Sequence, residues 1–481
     1  MSPLLELGLA LPRRGSRRRL RSLYEQLRAA ILGGRLHPGL RLPSSRALAA
    51  SCGASRATVV ATYERLLSEG YLVARPGAGT FVARGLPAHA APRAPVARPA
   101  ADPRLAPAWR PAGRPEPPPL ARPRYDFRVG MPDGAAFPHD LWRRLLGRAA
   151  RTSRADAIEY APAAGREALR AGIASHVSFT RAVAARGEDV VVTAGAQQAF
   201  NLLARVLVTP GRTLVAVEEP GYPPLRAAFR AAGARLAPVP VDAEGLIVER
   251  VPKEARVICV TPSHQFPLGT AMSLERRTAL LELAAARGAV VIEDDYDSEF
   301  RFGGRPLDAL QTLDRSGAVL YVGTFSKSLS PALRIGFIVA PPWARDALVA
   351  AKRLEDTHSP TVIQDALALL IAEGHLARHV RRMRRIYERR RELLLGGLAR
   401  DFGRWLEPVA SVAGLHVTAW LRGRTDAEAL AARARHSDVG IRSLAGFYDG
   451  APRPGLVFGY GATTEAEVGA GLERLRTLWR R

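Results

Sequence analysis

Apolar residues recur every three to four positions through residues 20–34, where Leu20, Leu23, Leu27 and Ile31 form one stripe ending at the pair Gly33 and Gly34. That spacing predicts an amphipathic helix. Residues 42–53 predict a second helix, capped by Ser44 or Ser45 and stopped by Gly53, and residues 54–72 a third with Ser55 at its N-cap. Over residues 71–83 the pattern changes to alternation around Pro76, Gly77, Ala78 and Gly79, which predicts a hairpin. Two short helices about a glycine turn, followed by a hairpin, describe a helix-turn-helix with a wing.

Periodicity then stops. Residues 85–124 are a Pro/Ala/Arg tract that cannot bury a core, so an extended linker is expected there. It separates a small unit, 13–84, from a body, 125–481. In the body, short β-branched runs at 189–195, 213–222, 256–263, 289–297 and 318–328 each end in polar or glycine residues, with helical stretches between most of them. This predicts an α/β domain built on a largely parallel sheet. In such sheets ligands bind beyond the carboxyl ends of the strands, so the residues ending these runs are the ones to question.

Composition sharpens the picture. A chain of 481 residues with 47% hydrophobic content is long enough for more than one domain. The formal charge is +25, and it is unevenly placed: residues 1–84 hold 14 Arg against 4 Glu. The densest positive charge therefore lies on the small unit, and a polyanion is its expected partner. Cys52 and Cys259, the only 2 cysteines, have neither metal-site spacing nor the makings of a disulfide framework, which fits a reducing cytosol. The apolar run at the start precedes its arginines, the wrong order for a secretory signal, and no uncharged apolar run is long enough for a bilayer. A soluble cytoplasmic protein without a membrane segment is expected.

Lysine is rare. It occurs only at positions 253, 327 and 352, and arginine supplies the remaining basic residues. Arginine does not give up its proton, whereas lysine can become a neutral nucleophile that attacks a carbonyl. A lone lysine is ordinarily a surface charge, but Lys327 follows an apolar run and sits among candidate ligand groups. Ala196 and Gln197 open a helix after a strand and offer backbone N–H groups to a phosphate. Tyr222, Asp294, Asp295, Tyr296, Thr324, Ser326 and Arg334 end or follow other strand-like runs. A phosphate cradle, a stacking ring, a carboxylate, a phenol and a rare amine suit pyridoxal 5'-phosphate. The lysine would hold the aldehyde as a Schiff base and an aspartate would keep the ring nitrogen protonated. No His/Cys cluster predicts a metal, and single histidines such as His416 receive no role.

The stretches "TPSHQFPLGT", "IEDDYDSEF" and "TFSKSLSPALRIGF" together resemble a fold-type I aminotransferase domain, with a large sheet domain and a small C-terminal α+β subdomain. The N-terminal unit resembles a winged helix of the GntR family. Joined in this order by a linker, the two resemble the MocR subfamily of bacterial transcription regulators. The resemblance implies that Lys327 is the internal aldimine lysine and that Asp294 faces the pyridine nitrogen, with Asp295 the open alternative. It further implies that Tyr296 lies near O3′, that Tyr222 stacks on the ring, and that Ala196, Gln197, Thr324, Ser326 and Arg334 form the phosphate cup. Two departures stand out. Phe266 replaces an asparagine that bonds O3′, leaving that task to Tyr296 with His264 or Gln265, and Val457 replaces an arginine that anchors substrate carboxylates.

In a winged helix the start of the third helix meets base edges in the major groove. Arg46, Ser55, Arg56, Thr58 and Gly77 match the family's DNA contacts, with Arg56 able to pair with a guanine, while Val60 replaces a polar or basic residue. The expected protein is a pyridoxal-phosphate-dependent regulator of a DNA operator that senses an amine, an amino acid or pyridoxal phosphate itself, as a head-to-tail homodimer. An active aminotransferase with an appended DNA-binding module is the alternative.

Overall fold

The computed structural model describes residues 11–12, 18–84, 104–106, 109, 122–152, 159–303, 307–423 and 425–479. The chain divides into two compact units, Met1–Asp102 and Pro103–Arg481. Most of the expected linker 85–124 lies outside the described residues.

The first unit contains α1 (Arg19–Leu32), α2 (Ser45–Cys52) and α3 (Arg56–Ser68), then β1 (Leu72–Arg75) and β2 (Gly79–Val82). Ser44 caps α2 by accepting from the Ala47 N–H, and Ser55 caps α3 by accepting from the Thr58 N–H. Each satisfies a donor that a helix start leaves open. Leu23, Leu27, Leu48, Val59, Leu66 and Val82 are buried in one core, and the chain before α2 pairs with the wing through Leu42 N–H to Thr80 O at 2.8 Å.

The second unit runs α4 (His139–Thr152), α5 (Glu167–Arg181), β3 (Val190–Thr193), α6 (Ala196–Leu207), β4 (Leu214–Glu219), α7 (Pro223–Ala231), β5 (Arg235–Asp242), β6 (Gly245–Leu246) and β7 (Ala255–Val260). It continues through α8 (Leu274–Arg287), β8 (Val290–Asp295), α9 (Leu310–Leu313), β9 (Val319–Thr324), β10 (Gly336–Val339), α10 (Pro342–Asp356), α11 (Thr361–Ala372) and α12 (His375–Phe402). A C-terminal subdomain follows, with β11 (Leu406–Pro408), β12 (His416–Leu421), α13 (Ala427–His436), β13 (Arg442–Ser443), β14 (Gly455–Gly459) and α14 (Glu465–Trp479).

The large sheet has the order β3-β10-β9-β8-β7-β4-β5-β6, and the small one the antiparallel order β11-β12-β14-β13. Neighbours from β9 to β5 are parallel, as expected, but β10 runs antiparallel to both β9 and β3. The reason is the connection. Residues 325–335 hold one 3-10 turn and no crossover helix, and so short a link can only reverse the chain. Helices cover both faces: on β3, Val191 joins the core under α6, α7 and α10, while Val190 and Val192 join the core under α4, α5 and α11. Strands buried on both sides read as unbroken apolar runs, which is how they appear in the sequence. Among the described residues no helix is long and apolar enough to cross a membrane.

Candidate functional site

The parallel strands carry the candidate residues to one edge. Lys327 stands in the turn after β9, where its Nζ donates to the Gly130 carbonyl at 2.7 Å. Burial pushes this amine below the ordinary lysine range, against Asp297 and Asp294, which pull the other way. A buried amine with a lowered pKa is more readily the neutral nucleophile.

Asp294 and Asp295 end β8, where successive side chains face opposite sides of the sheet. Asp295 is fully engaged: Arg181 Nε donates to it at 2.8 Å and the Tyr321 hydroxyl at 2.7 Å. Burial opposes its charge, yet Arg181, Ser298 and Tyr321 hold its pKa below the usual value. Asp294 has a buried Oδ1 without a hydrogen-bond partner among the described residues. Burial, followed by the nearby Asp295 charge, pushes its pKa well above the ordinary carboxylate value. The two carboxylates of this pair thus differ: Asp295 is tied into the protein, and Asp294 keeps one oxygen without a donor among the described residues.

The residues expected to form a phosphate cup come from two elements. α6 begins at Ala196 after Gly195, whose φ is +81°. A Cβ on Gly195 would come within 2.9 Å of the Arg334 guanidinium, so glycine both permits the turn and admits the charge. Arg334 Nη2 donates to the Ala194 carbonyl at 2.6 Å, which fixes the guanidinium beside the helix start. Across it, Thr324 Oγ1 donates to Ser326 Oγ at 3.0 Å and accepts from the Ser326 N–H at 3.2 Å. Gln197 turns its side-chain amide to the Pro224 carbonyl at 3.3 Å.

Tyr222, at the start of α7, meets Phe266 edge to face with centroids 5.3 Å apart. Phe266 also meets Tyr296, His416 and Phe447 edge to face at 5.7, 5.5 and 5.3 Å. Val457 is fully buried in the same cluster. The two positions that depart from the aminotransferase pattern therefore share one apolar patch. The Tyr296 hydroxyl donates to the His264 carbonyl at 3.0 Å and lies 2.8 Å from His264 Nδ1, which is also 3.0 Å from Asp297 Oδ1. Of the two expected helpers of Tyr296, His264 is thus in place. Gln265 is not: its amide donates to Pro220 O and Phe266 O, and its oxygen accepts from the Leu268 N–H.

Three contributors had no signal in the sequence: the Gly130 carbonyl, Asp297 and His416. His416 sits with its ring centroid 4.8 Å from that of His264, and its Nε2 donates to Pro267 O at 2.9 Å, since a carbonyl only accepts. Burial pushes its pKa well below the ordinary value. His264, Asp297 and His416 bring three ligand-type atoms within 4.8 Å of one another, a juxtaposition their spacing does not predict.

On the first unit, Arg46, Arg56 and Gly77 are exposed, and among the described residues no acid pairs with either arginine. Ser55 and Thr58 lock the start of α3, their hydroxyls 2.8 Å apart. Gly77 stands in the wing turn between β1 and β2. Val60 is half-buried and lines a groove with Tyr63 and Leu67.

Comparison with known proteins agrees with this division. Residues 131–474 match the family described as aminotransferase class I and II, and residues 20–82 the bacterial regulatory proteins of the gntR family. The chain is 39% identical over 459 residues to the probable rhizopine catabolism regulatory protein MocR of Rhizobium meliloti, covering 95% of this chain and 93% of that protein. It is 33% identical over 444 residues to the pyridoxine biosynthesis transcriptional regulator PdxR of Corynebacterium glutamicum, covering 92% of each. Among solved structures, the alpha-aminoadipate aminotransferase LysN of Thermus thermophilus, complexed with N-(5'-phosphopyridoxyl)-L-leucine, superposes with a TM-score of 0.68 at 32% identity, over 74% of this chain and 91% of that one.

Proposed function

The chain belongs to the MocR subfamily of GntR-type regulators, DNA-binding transcription regulators with a pyridoxal-phosphate-dependent aminotransferase-like domain, and from that premise we propose which residues do the work. The cofactor supplies an aldehyde that an amine can attack and a ring that draws electrons from the attached carbon. Lys327 is the attaching amine, its proton loosened by burial. Asp294 keeps a proton on the ring nitrogen, which gives its unpartnered oxygen the donor it lacks. The N–H groups of Ala196 and Gln197, the hydroxyls of Thr324 and Ser326, and Arg334 hold the phosphate. Tyr222 covers the ring and Tyr296 borders its phenolic oxygen, oriented by His264. The observation that carries this assignment is the buried, unsatisfied Asp294 Oδ1 beside a buried amine of lowered pKa.

Phe266 and Val457 give the pocket apolar surface where substrate-processing relatives of this fold use polar anchors, which favours sensing over turnover. The effector is an amine, an amino acid or pyridoxal phosphate itself. The active form is a homodimer with head-to-tail bodies, which presents two winged helices to two half-sites. There Arg46, Ser55, Arg56, Thr58 and Gly77 face DNA, in the cytoplasm.

Borohydride reduction followed by peptide mass analysis tests the assignment. Cofactor mass on the peptide holding Lys327, and none in Lys327→Ala, is the expected result; label at another lysine overturns it. Amino acids should change the visible spectrum and operator affinity without sustained keto-acid release. Steady release would favour an enzyme instead.

A further inference from the structure

At the seam between the large sheet and the C-terminal subdomain lies a cavity of about 140 Å³. Ser263, Gly269 and Arg301 line one side, Ser411 and Val412 the other, and none of these is a residue assigned above to the cofactor. The seam is pinned beside it. The Phe302 N–H donates to Val412 O at 2.7 Å, and the Gly414 N–H to Phe300 O at 2.8 Å.

Some polar groups around this space have no partner among the described residues. Arg301 has a buried Nε with no hydrogen-bond partner, and among the described residues no acid forms an ion pair with it. Burial lowers its pKa, and Arg181 and Arg384 add positive charge around it. Ser263 Oγ accepts from Arg181, so its own proton remains to be donated. His264 is 2% exposed, and its Nε2 is buried without a partner. A Cβ on Gly269 would stand 3.1 Å from that nitrogen and 2.9 Å from Ser411 Oγ, so the missing side chain keeps the space between them open. An unpartnered buried donor such as Arg301 Nε costs stability until something accepts from it, and surplus positive charge selects an anion. Beyond these groups the walls are short and apolar, with Ala271 and Ala410 among them.

We propose that this cavity is a second ligand site, separate from the cofactor cleft, for a short-chain carboxylate. The planar fork of Arg301 takes the carboxylate oxygens, Ser263 donates to one of them, and the alkyl tail lies against Ala271 and Val412. Ser263 and Gly269 flank His264 and Phe266 in one loop, so an occupant bears directly on the wall of the cofactor cleft.

Calorimetric titration of propionate into the full chain loaded with pyridoxal phosphate, at constant ionic strength, tests the site, with propylamine as the control. Saturable binding of propionate and none of propylamine is expected. Arg301→Leu should weaken it by about tenfold or more, the scale of a lost charge-assisted hydrogen bond. Ser411→Leu, which fills the cavity from a surface loop and leaves Arg301 intact, should abolish it, and a normal cooperative melt shows that this variant folds. Absence of saturable binding overturns the proposal, as does unchanged affinity in Ser411→Leu or in a folded Arg301→Leu.

Discussion

Asp294 and Asp295 differ by one position and by everything around them. The pleat of β8 sends Asp295 to Arg181 and Tyr321, and leaves Asp294 Oδ1 without a donor among the described residues. Asp295→Asn leaves the Arg181 guanidinium buried without its counter-charge, so it should cost about 3–5 kcal/mol in urea unfolding. Asp294→Asn should leave the cofactor-free protein at least as stable as its parent, yet lower cofactor affinity by about tenfold or more. Equilibrium dialysis alongside urea unfolding separates the two outcomes. Glu218 makes a prediction about pH. Burial pushes its pKa up to about 7 in the folded protein, although Thr261 and Gln265 hydrogen bonds pull it down. Its stabilising contribution is complete below the unfolded-state value of about 4.3 and is lost as pH rises through the folded value. Glu218→Gln should therefore gain stability relative to the parent between pH 5 and pH 8, on the order of 2–3 kcal/mol, in parallel thermal melts. At this scale much was legible. Lys327 could be singled out because arginine does its other duties, and the motif around Asp294 narrowed the choice to two neighbours. What could not be read was which neighbour was free, because Arg181 reaches Asp295 from 114 positions away.

Among the elements, β14 and the loop after β7 explain the departures jointly. Phe266 and Val457 look unrelated in the sequence, but they pack in one cluster with Phe447 and Leu444. An isolated polar side chain there would be unpaired among rings. Val457→Arg alone should consequently not create a transaminase. It should destabilise the body by about 3–5 kcal/mol, the cost of a buried charge without a partner, measured by thermal or urea unfolding together with keto-acid assays. Element types and most boundaries were readable: caps at Ser44 and Ser55 mark helix starts, and apolar runs mark strands buried on both faces. The direction of β10 was not, because an apolar run carries no sign of which way it points. The pairing of His264 with Asp297 escaped for a similar reason, since the two residues lie 33 positions apart on different strand ends.

For the molecule as a whole, charge and modularity go together. The unit that holds α1 to α3 carries 14 of the arginines within residues 1–84, and Arg46 and Arg56 stand exposed, with no acid among the described residues pairing with either. Operator affinity of the full chain should fall linearly with salt on logarithmic axes, because phosphate contacts release counterions. Arg46→Ala should weaken binding to all sequences and reduce that slope by about 1, whereas Arg56→Ala should relax sequence preference and cost about 1–3 kcal/mol on the preferred site. Fluorescence anisotropy over a salt series, on matched and scrambled duplexes, distinguishes them; equal effects on both duplexes in both variants would contradict the assigned roles. The division into a basic reader and an α/β body was visible in composition and periodicity alone. How the body's two lobes meet around Arg301 was not, because a seam has no sequence period.

The reversal of the chain at β10 has one more implication. Thr324 and Gly336 are partners across the β9–β10 ladder, so the stretch that carries both Lys327 and Arg334 is clamped at its two ends. On the proposed assignment it acts as a ruler between the amine that captures the small molecule and the charge that grips its far end. One residue more or fewer in it would leave amine and guanidinium gauged for different molecules.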